Sequence, residues 1–193
     1  MTLSCILLAL ILDAFFGEPN WLWSKLQHPA VTFGKIITWG EKKYNNGINR
    51  KGKGVIFLSV IVIFLATVGY IIEQLPFSAI WKILIVAILL SHKSLIEHVS
   101  AVSLGLQKDI DHGRKAVAMI VGRDTETLNE SDVARSAIES AAENFSDGII
   151  APLFWFFIGG LPGVIVYKFV NTADSMIGYK PVSYTHLTLP TKA

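Results

Sequence analysis

The feature of this sequence that most restricts its fold is a run of nineteen residues without a charged side chain, from Gly54 to Ile72. At about 1.5 Å per residue, a helix of this length spans ~29 Å, which matches the hydrocarbon core of a bilayer. A segment that crosses lipid must satisfy its backbone polar groups internally, and an α-helix does so. The run therefore predicts a transmembrane helix.

Two further apolar runs predict additional membrane helices. Leu75 to Ser91 is interrupted only by Lys82, whose long side chain can reach the headgroups from near a helix end. Thr2 to Phe16 is shorter and contains Asp13, but it lacks the basic start and cleavage site of a signal peptide, so we interpret it as a retained membrane helix. With 52% hydrophobic and 17% charged residues, the chain is predicted to be an all-α, polytopic integral membrane protein.

The distribution of basic residues predicts the orientation in the bilayer. Loops rich in lysine and arginine stay in the cytoplasm, which makes residues 17–53 cytoplasmic. Two crossings later, residues 92–148 return to the same side as a cytoplasmic helical segment. The net charge of +2 is too small, and too scattered, for a nucleic-acid partner. The basic residues before Gly54 are Lys25, Lys35, Lys42, Lys43, Arg50, Lys51 and Lys53.

Helical periodicity predicts two amphipathic helices within residues 92–148. A polar turn from Gly122 to Asn129 separates them, and Ser131 or Asp132 can cap the second helix. The apolar stripe of the first helix is Leu95, Val99, Val102 and Leu106. The predicted buried face of the second helix is Ala134, Ile138, Ala141 and Phe145.

The last apolar run, Ile149 to Val170, is broken at its centre by the segment Gly159 to Gly163, which contains three glycines and a proline. Two structures fit this pattern. A kinked spanning helix would place the residues after Val170 outside, whereas two half-helices of about ten residues, each ~15 Å long, would form a re-entrant hairpin. Composition alone favours the kinked helix, because exposed backbone at membrane depth must be satisfied by other protein.

A row of charged residues on the second amphipathic helix is the first candidate site. Arg135, Glu139 and Glu143 lie four residues apart and share one face, and Asn144 and Asp147 follow them. Such a row can hold Mg²⁺ through carboxylate oxygens while the arginine binds a phosphate. The same spacing is typical of a solvent-exposed ion-pair ladder, and spacing alone favours that alternative.

Two polar segments form a second group of candidates. Residues 171–180 directly follow an apolar run, and polar groups at that depth are costly unless they have partners, although an interfacial helix cap fits as well. In the turn Gly122 to Thr125, backbone N–H groups and Arg123 can converge on a phosphate, and a plain capped turn is the alternative. The candidates are Arg123, Asp124, Asn171, Thr172, Asp174, Ser175 and Lys180.

Three polar residues near the first helix complete the candidates: Asp13, Glu18 and His28. Because His28 precedes a proline, it is predicted to be extended or in a turn, and a structural role is favoured over a catalytic one. Trp21 and Trp23, between Glu18 and His28, suit the headgroup level of a membrane.

In chain order, these motifs resemble the CobD/CbiB family of adenosylcobinamide-phosphate synthases. The resemblance implies a membrane enzyme of cobalamin biosynthesis, which joins adenosylcobyric acid to aminopropanol or its phosphate through an amide bond, with ATP and Mg²⁺. An oligomer, or a complex with other corrinoid enzymes, is compatible with it. The matching blocks are Leu12-Asp13, Gly17-Glu18-Pro19, His28-Pro29, Gly122-Arg123-Asp124-Thr125, Glu139-Ser140, Glu143-Asn144, Ser146-Asp147-Gly148, Asn171-Thr172 and Asp174 to Lys180.

The resemblance also implies roles for these residues. Expected to be catalytic are Glu139, Glu143, Asp147 and Asp174, the first three as Mg²⁺ ligands. Expected to bind substrate or phosphate are Arg123, Asp124, Arg135, Asn144, Asn171, Thr172, Ser175 and Lys180. Asp13, Glu18 and His28 belong to the motif without an assigned role. If the acidic helix and the Asn171 segment share one ATP-using site, they face the same compartment, which moves the preference to the re-entrant hairpin.

The resemblance ends at Lys180. Residues 1–180 are interpreted as the N-terminal part of a single CobD/CbiB-type membrane domain, whereas 181–193 do not resemble the family and are interpreted as an unrelated tail. Family members continue well beyond this point, so whether the truncated chain is active stays open. One alternative is a membrane signalling protein of the AmpE type without synthase activity, which the motif blocks disfavour. A small transporter would require inverted repeats, which the sequence does not contain.

Overall fold

The structure, a computed structural model, describes residues 2–17 and 19–178 of the chain. Within that part every regular element is helical, which confirms the all-α prediction. The helices are α1 (Thr2–Phe16), α2 (Asn20–Trp23), α3 (Pro29–Tyr44), α4 (Arg50–Glu73), α5 (Ser78–Leu89), α6 (His92–Lys108), α7 (Ile110–Ala118), α8 (Glu130–Phe145) and α9 (Ala151–Gly178). A π-helical turn, Ser146–Ile150, joins α8 to α9.

Three helical stretches are long and apolar enough to cross a membrane: Arg50–Glu73, Ser78–Lys108 and Glu130–Gly178. The first is α4, at the position predicted from the uncharged run. It buries only Leu65 and Gly69, while side chains such as Ile56, Ile63 and Phe64 are exposed. Such a surface is costly in water and is matched by lipid. The protein is therefore a helical integral membrane protein, and α1 is a shorter apolar helix beside the three.

The chain reverses direction within α9, at Gly160. The backbone there leaves the helical region, with φ 60° and ψ −150°. Asn171 Nδ2 donates to Asp147 Oδ2 over 3.2 Å, and Tyr167 Oη donates to the Asp147 carbonyl oxygen over 3.2 Å. In an uninterrupted helix, residues 147 and 171 would lie ~36 Å apart. The chain therefore folds back as a hairpin at Gly160 instead of continuing as one kinked helix. That this hairpin is re-entrant in the membrane stays a prediction.

The tip of this hairpin is held by an ion pair. Glu73 Oε1 accepts a hydrogen bond from the Leu161 N–H over 3.1 Å and lies 3.1 Å from Lys82 Nζ. The carboxylate thus caps the helical arm 161–178, where backbone N–H groups lack partners and negative charge is favourable. Pro162 stands in the first turn of that arm, where its missing N–H costs nothing. Because the tip meets the last residue of α4, and one arm has about 18 residues, the hairpin is deeper than the two ten-residue half-helices predicted.

Three helices were not predicted from the sequence, namely the four-residue α2 and the helices α3 and α7. Residues 17–53 contain α3, which His28 caps through its ring Nδ1, and which buries Phe33, Ile37 and Gly40 on one stripe. Phe33 packs edge-on against Phe169 of the hairpin, with ring centroids 5.6 Å apart. The short helix α7 is capped by the preceding Asp109, whose carboxylate accepts the His112 N–H over 2.8 Å. Together with the His112 ring, that hydrogen bond holds the pKa of Asp109 below its ordinary value.

Candidate functional site

Helix α8 carries the row of charged residues, and its small side chains determine how it packs. The buried positions are Val133, Ser136, Ala137 and Ser140, which face Val102 of α6 and Val117 of α7. The predicted buried face was therefore wrong: Ile138 is 70% exposed and Phe145 is 50% exposed. The reason is that serine and alanine allow the neighbouring helices to approach closely, whereas hydropathy ranks isoleucine and phenylalanine first. The helix is also capped earlier than predicted, because Asn129 Oδ1 accepts the Asp132 N–H over 2.9 Å.

The segment before the Gly122 turn crosses this small-residue face. Ser140 Oγ donates to the Ile120 carbonyl oxygen over 2.8 Å. Arg123 Nη2 donates to Ser136 Oγ and, over 3.1 Å, to Glu139 Oε2. These contacts fold residues 119–123 onto α8, so the predicted turn and the predicted charged row form one surface.

Two adjoining cavities open along this surface, with Ile120, Val121 and Ser140 as their common wall. The smaller, of about 240 Å³, is lined by Arg123, Glu139 and Glu143 as well, and we call it the charged cavity. The larger, of about 340 Å³, lies between α6 and α8, and we call it the histidine cavity. Its other lining residues are Ser91, Ser94, Leu95, His98, Val99, Met119 and Asn144.

The cavities bring together four of the residues predicted from the sequence: Arg123, Glu139, Glu143 and Asn144. Glu139 forms its ion pair with Arg123, sixteen residues away, rather than with Arg135 on its own helix. Both partners of the ion pair are half-exposed, with side-chain exposures of 52% and 55%, so it contributes under ~1 kcal/mol to stability. Its effect is to place a guanidinium and a carboxylate at the wall of the charged cavity.

The base of the hairpin lies next to the histidine cavity. The Ser91 N–H, at one end of that cavity, donates to the Gly148 carbonyl oxygen over 3.2 Å. In the same π-helical turn, Asp147 is joined to Asn171. The hydroxyls of Thr172 and Ser175 instead donate to carbonyl oxygens of their own helix, those of Lys168 and Asn171. Asp174 is exposed on the same arm.

Comparison with known proteins decides the family of this chain. The sequence profile of the family described as CobD/Cbib protein matches residues 6–188. The chain belongs to the CobD/CbiB family. The match extends past Lys180 to residue 188. It therefore does not separate an unrelated tail from the family domain at Lys180, and that boundary stays a prediction. No solved structure matches.

Several CobD/CbiB relatives carry the name cobalamin biosynthesis protein CobD. The relative from Brucella anthropi is 51% identical over 185 residues, which cover 89% of this chain and 56% of the relative. The relative from Rhizobium meliloti is 44% identical over 191 residues, covering 94% and 58%. The probable CobD of Pyrococcus furiosus is 38% identical over 187 residues, covering 93% and 62%. This chain therefore spans a little over half the length of these relatives.

The predicted magnesium triad of this CobD/CbiB chain needs a correction. Among residues 2–17 and 19–178, no three histidine, cysteine or acidic side chains are close enough to hold a metal ion. Glu139 is turned towards Arg123 and Asp147 towards Asn171, which leaves Glu143 at the charged cavity. Mg²⁺ bound with a nucleotide requires only one or two carboxylates beside the phosphates. Glu143 with the neighbouring Arg123 fits that requirement, whereas a three-carboxylate site does not form.

Other predicted residues have structural contacts. Asp124 Oδ1 accepts the Glu126 N–H over 3.0 Å within the turn, and the adjacent Thr125 is buried. His28 Nδ1 accepts the Ala30 N–H over 3.2 Å, and its ring packs on Trp23 with centroids 4.6 Å apart. The preference for a structural His28 agrees with these contacts. Glu18 and Lys180 lie outside the described residues.

Asp13 joins the first helix to the start of α6. The side chain is 3% exposed, and its Oδ2 accepts the His92 N–H over 2.9 Å and the Lys93 N–H over 3.3 Å. These N–H groups begin α6 and have no partner within that helix. A carboxylate there also interacts favourably with the helix dipole. Asp13 therefore holds α6, and with it one wall of the histidine cavity, against α1.

We expect Asp13→Ala to lower the free energy of unfolding by about 2 kcal/mol, because it removes a helix cap and leaves buried N–H groups without an acceptor. Denaturant unfolding in detergent, followed by circular dichroism, measures the loss. Asp111→Ala is the matched control, since Asp111 is exposed and pairs only with the nearby Arg114, and it should cost under ~1 kcal/mol. Equal losses for the two variants would contradict the capping role.

Sequence reasoning missed the polar residues that α6 contributes to the cavities. Ser94 and His98 lie four residues apart on the polar side of α6, opposite Ser140 and Asn144 of α8. The prediction used only the apolar stripe of α6. The available signal was a serine and a histidine one turn apart, bordering Leu95 and Val99.

Proposed function

We propose that this protein, in its full-length form, acts in cobalamin biosynthesis as a membrane-bound, amide-forming synthase. The reaction joins adenosylcobyric acid to aminopropanol or its phosphate, with ATP and Mg²⁺. The observation that carries the proposal is that Arg123, Glu139 and Glu143, which belong to separate family motifs, line one cavity. The names of its relatives support the pathway, and the cavity supports a reaction that handles phosphate charge.

The proposed reaction activates a corrinoid side-chain carboxylate as an acyl phosphate, which the amine then attacks. Mg²⁺ bound with the nucleotide would supply charge neutralisation at the phosphates. Arg123 contributes a planar guanidinium that binds phosphate oxygens, and Glu139 fixes its position. Glu143 lines the same cavity and contributes a carboxylate that would hold Mg²⁺. Such a site accelerates the reaction by positioning and by electrostatic stabilisation.

The site is proposed to open to the cytoplasm, in a protein of the cytoplasmic membrane. The basic residues of segment 17–53 support that orientation. The hairpin supports a common compartment for both halves of the site, because Asn171 returns to Asp147 at the end of α8. ATP produced in the cytoplasm then reaches the charged cavity directly.

Genetic complementation tests the function. A full-length version should restore growth on cobyric acid to a bacterial strain that lacks the synthase and depends on corrinoids. The same strain should grow on cobinamide with or without the protein, since cobinamide lies after this step. Failure on cobyric acid, despite correctly inserted protein, would contradict the proposal and favour the AmpE-type alternative.

Cysteine labelling tests the proposed orientation. In a Cys5→Ala background, single cysteines at Asn46, Thr127 and Ser175 should react with an impermeant maleimide only after the cytoplasmic side is opened. A cysteine at Gln74 should react in intact cells, because α4 separates it from Asn46. Labelling of Gln74 and Ser175 from the same side would contradict the hairpin. Labelling of Asn46, Thr127 and Ser175, but not of Gln74, in intact cells would invert the orientation.

A further inference from the structure

The histidine cavity has the size and lining of a site for a small polar molecule. It measures about 340 Å³, which lies at the small end of the range of ligand sites and is too small for a corrin macrocycle. Hydroxyl and amide groups of Ser94, Ser140 and Asn144 line it on two helices. Asn144 Nδ2 donates to the Ser140 carbonyl oxygen over 2.8 Å, which fixes the amide and leaves its oxygen as an acceptor.

The proton arrangement of His98 follows from one hydrogen bond. Its ring Nδ1 lies 2.7 Å from the Ser94 carbonyl oxygen. A carbonyl oxygen can only accept, so Nδ1 carries the hydrogen. In a neutral imidazole the other ring nitrogen then holds the lone pair, and Nε2 of His98 is a proton acceptor.

His98 is the one titratable side chain among the ten residues that line this cavity. The other charged groups near it belong to different surfaces. Lys93 and Glu97 pair with each other on the same helix, and the side chains of α7 that face α6, His112 and Lys115, line a separate cavity. Across the common wall lie the charged residues of the neighbouring cavity, Arg123, Glu139 and Glu143. A substrate that must lose a proton in the histidine cavity therefore meets a single base.

We infer that the histidine cavity binds the amino alcohol and that His98 Nε2 accepts a proton from its ammonium group. The inference rests on the proposed function. It assigns one cavity to each of the two substrates other than the corrinoid, the amino alcohol and ATP. The amine occupies the histidine cavity, the phosphates occupy the charged cavity, and the acyl carbon lies at the wall of Ile120, Val121 and Ser140 that both cavities share.

The reaction step balances as follows. One ammonium proton passes to His98 Nε2, and the freed lone pair forms the C–N bond with the acyl carbon. The bond from that carbon to the phosphate oxygen breaks, and its electron pair leaves with the phosphate. The second nitrogen proton goes to the departing phosphate, which yields the amide, and the imidazolium returns its proton to water. General base catalysis of this kind contributes roughly 10²- to 10⁴-fold in rate.

The first test uses the full-length protein with His98→Gln. Amide formation should fall by about a hundredfold or more. The parent's rate should decline towards acidic pH, and this decline should disappear in the variant. Added imidazole should partly restore the rate of His98→Ala, which a purely structural role of His98 would not allow. His112→Gln is the control, because His112 lies beside Asp109 outside both cavities, and its rate and pH profile should match the parent. A His98→Gln rate within threefold of the parent at every pH would overturn the inference.

The second test does not require turnover. Calorimetric titration with aminopropanol phosphate, and separately with aminopropanol, should show binding to the parent. Asn144→Leu, which replaces a polar lining group with an apolar one, should weaken that binding by about tenfold or more while leaving nucleotide binding unchanged. If the parent forms no amide yet binds the amine at this cavity, the proposed synthase fails and the amine site stands. Undiminished binding by Asn144→Leu, or absence of amine binding to the parent, would overturn the site.

Discussion

A full-length form of this protein with Glu143→Gln should form the amide about a thousand times more slowly than the parent. Glu143 is an exposed carboxylate at the charged cavity, and Arg123 lines the same cavity. If Glu143 holds Mg²⁺ against the phosphates, loss of its charge removes about 4 kcal/mol of transition-state stabilisation. Rates should be normalised to folded protein in the membrane and measured over a series of Mg²⁺ concentrations, where the variant should require more of the ion.

The control for Glu143→Gln is Glu130→Gln, which changes an exposed carboxylate in the first turn of the same helix. It should leave the rate within threefold of the parent, because Glu130 lines neither cavity. A Glu143→Gln rate within threefold of the parent at every Mg²⁺ concentration would contradict a catalytic role. The charged row of α8 would then be an exposed ion-pair ladder.

The largest effect on stability is expected from Gly160→Ala at the hairpin tip. Gly160 has φ 60° and ψ −150°, a region of the backbone map that is essentially restricted to glycine. A Cβ atom there would also lie 2.5 Å from Glu73 Oε1, the oxygen that caps the arm 161–178. Backbone strain and the lost cap together should lower the free energy of unfolding by about 3 kcal/mol.

Gly159→Ala provides the comparison for Gly160→Ala. A Cβ atom at Gly159 meets nothing within 4 Å, and alanine is the better helix former, so this variant should be neutral or slightly more stable. Denaturant unfolding in detergent compares the two. A Gly160→Ala variant as stable as Gly159→Ala would mean that the tip does not adopt the described backbone conformation.

The membrane helices could be predicted because their signal is local. Nineteen uncharged residues specify α4 without reference to any other part of the chain. The hairpin was different: residues 159–163 signalled a break, but the reversal depends on Glu73 and Lys82, which lie outside the broken segment. Helix α3 was overlooked because Phe33 and Ile37 lie in a basic segment that the orientation argument treated as a loop.

Four of the predicted site residues line the two cavities, but their pairings were not predicted. Arg135 is the nearest basic residue to Glu139 along the helix, yet Arg123 forms the ion pair because the Ser140 hydrogen bond to Ile120 folds that segment onto α8. The prediction of the buried face of α8 was wrong for a related reason. Close packing selects small side chains such as Ser136, and a hydropathy pattern cannot recognise that choice. The spacing of Ser94 and His98 could mark a polar face of α6, but only the structure shows that this face lies opposite α8.

The contact between Asp13 and the start of α6 has a consequence for the order of assembly during synthesis. Asp13 and His92 are 79 residues apart, so a ribosome adding about 5–20 residues per second makes the acceptor roughly 4–16 s before the donor. During that interval the first helix has a carboxylate in its second half whose donors on α6 do not yet exist. We therefore expect α1 to stay loosely placed, at the membrane surface or with the insertion machinery, until α6 emerges. Nascent chains arrested before and after residue 93 should differ in the protection of α1 from modification.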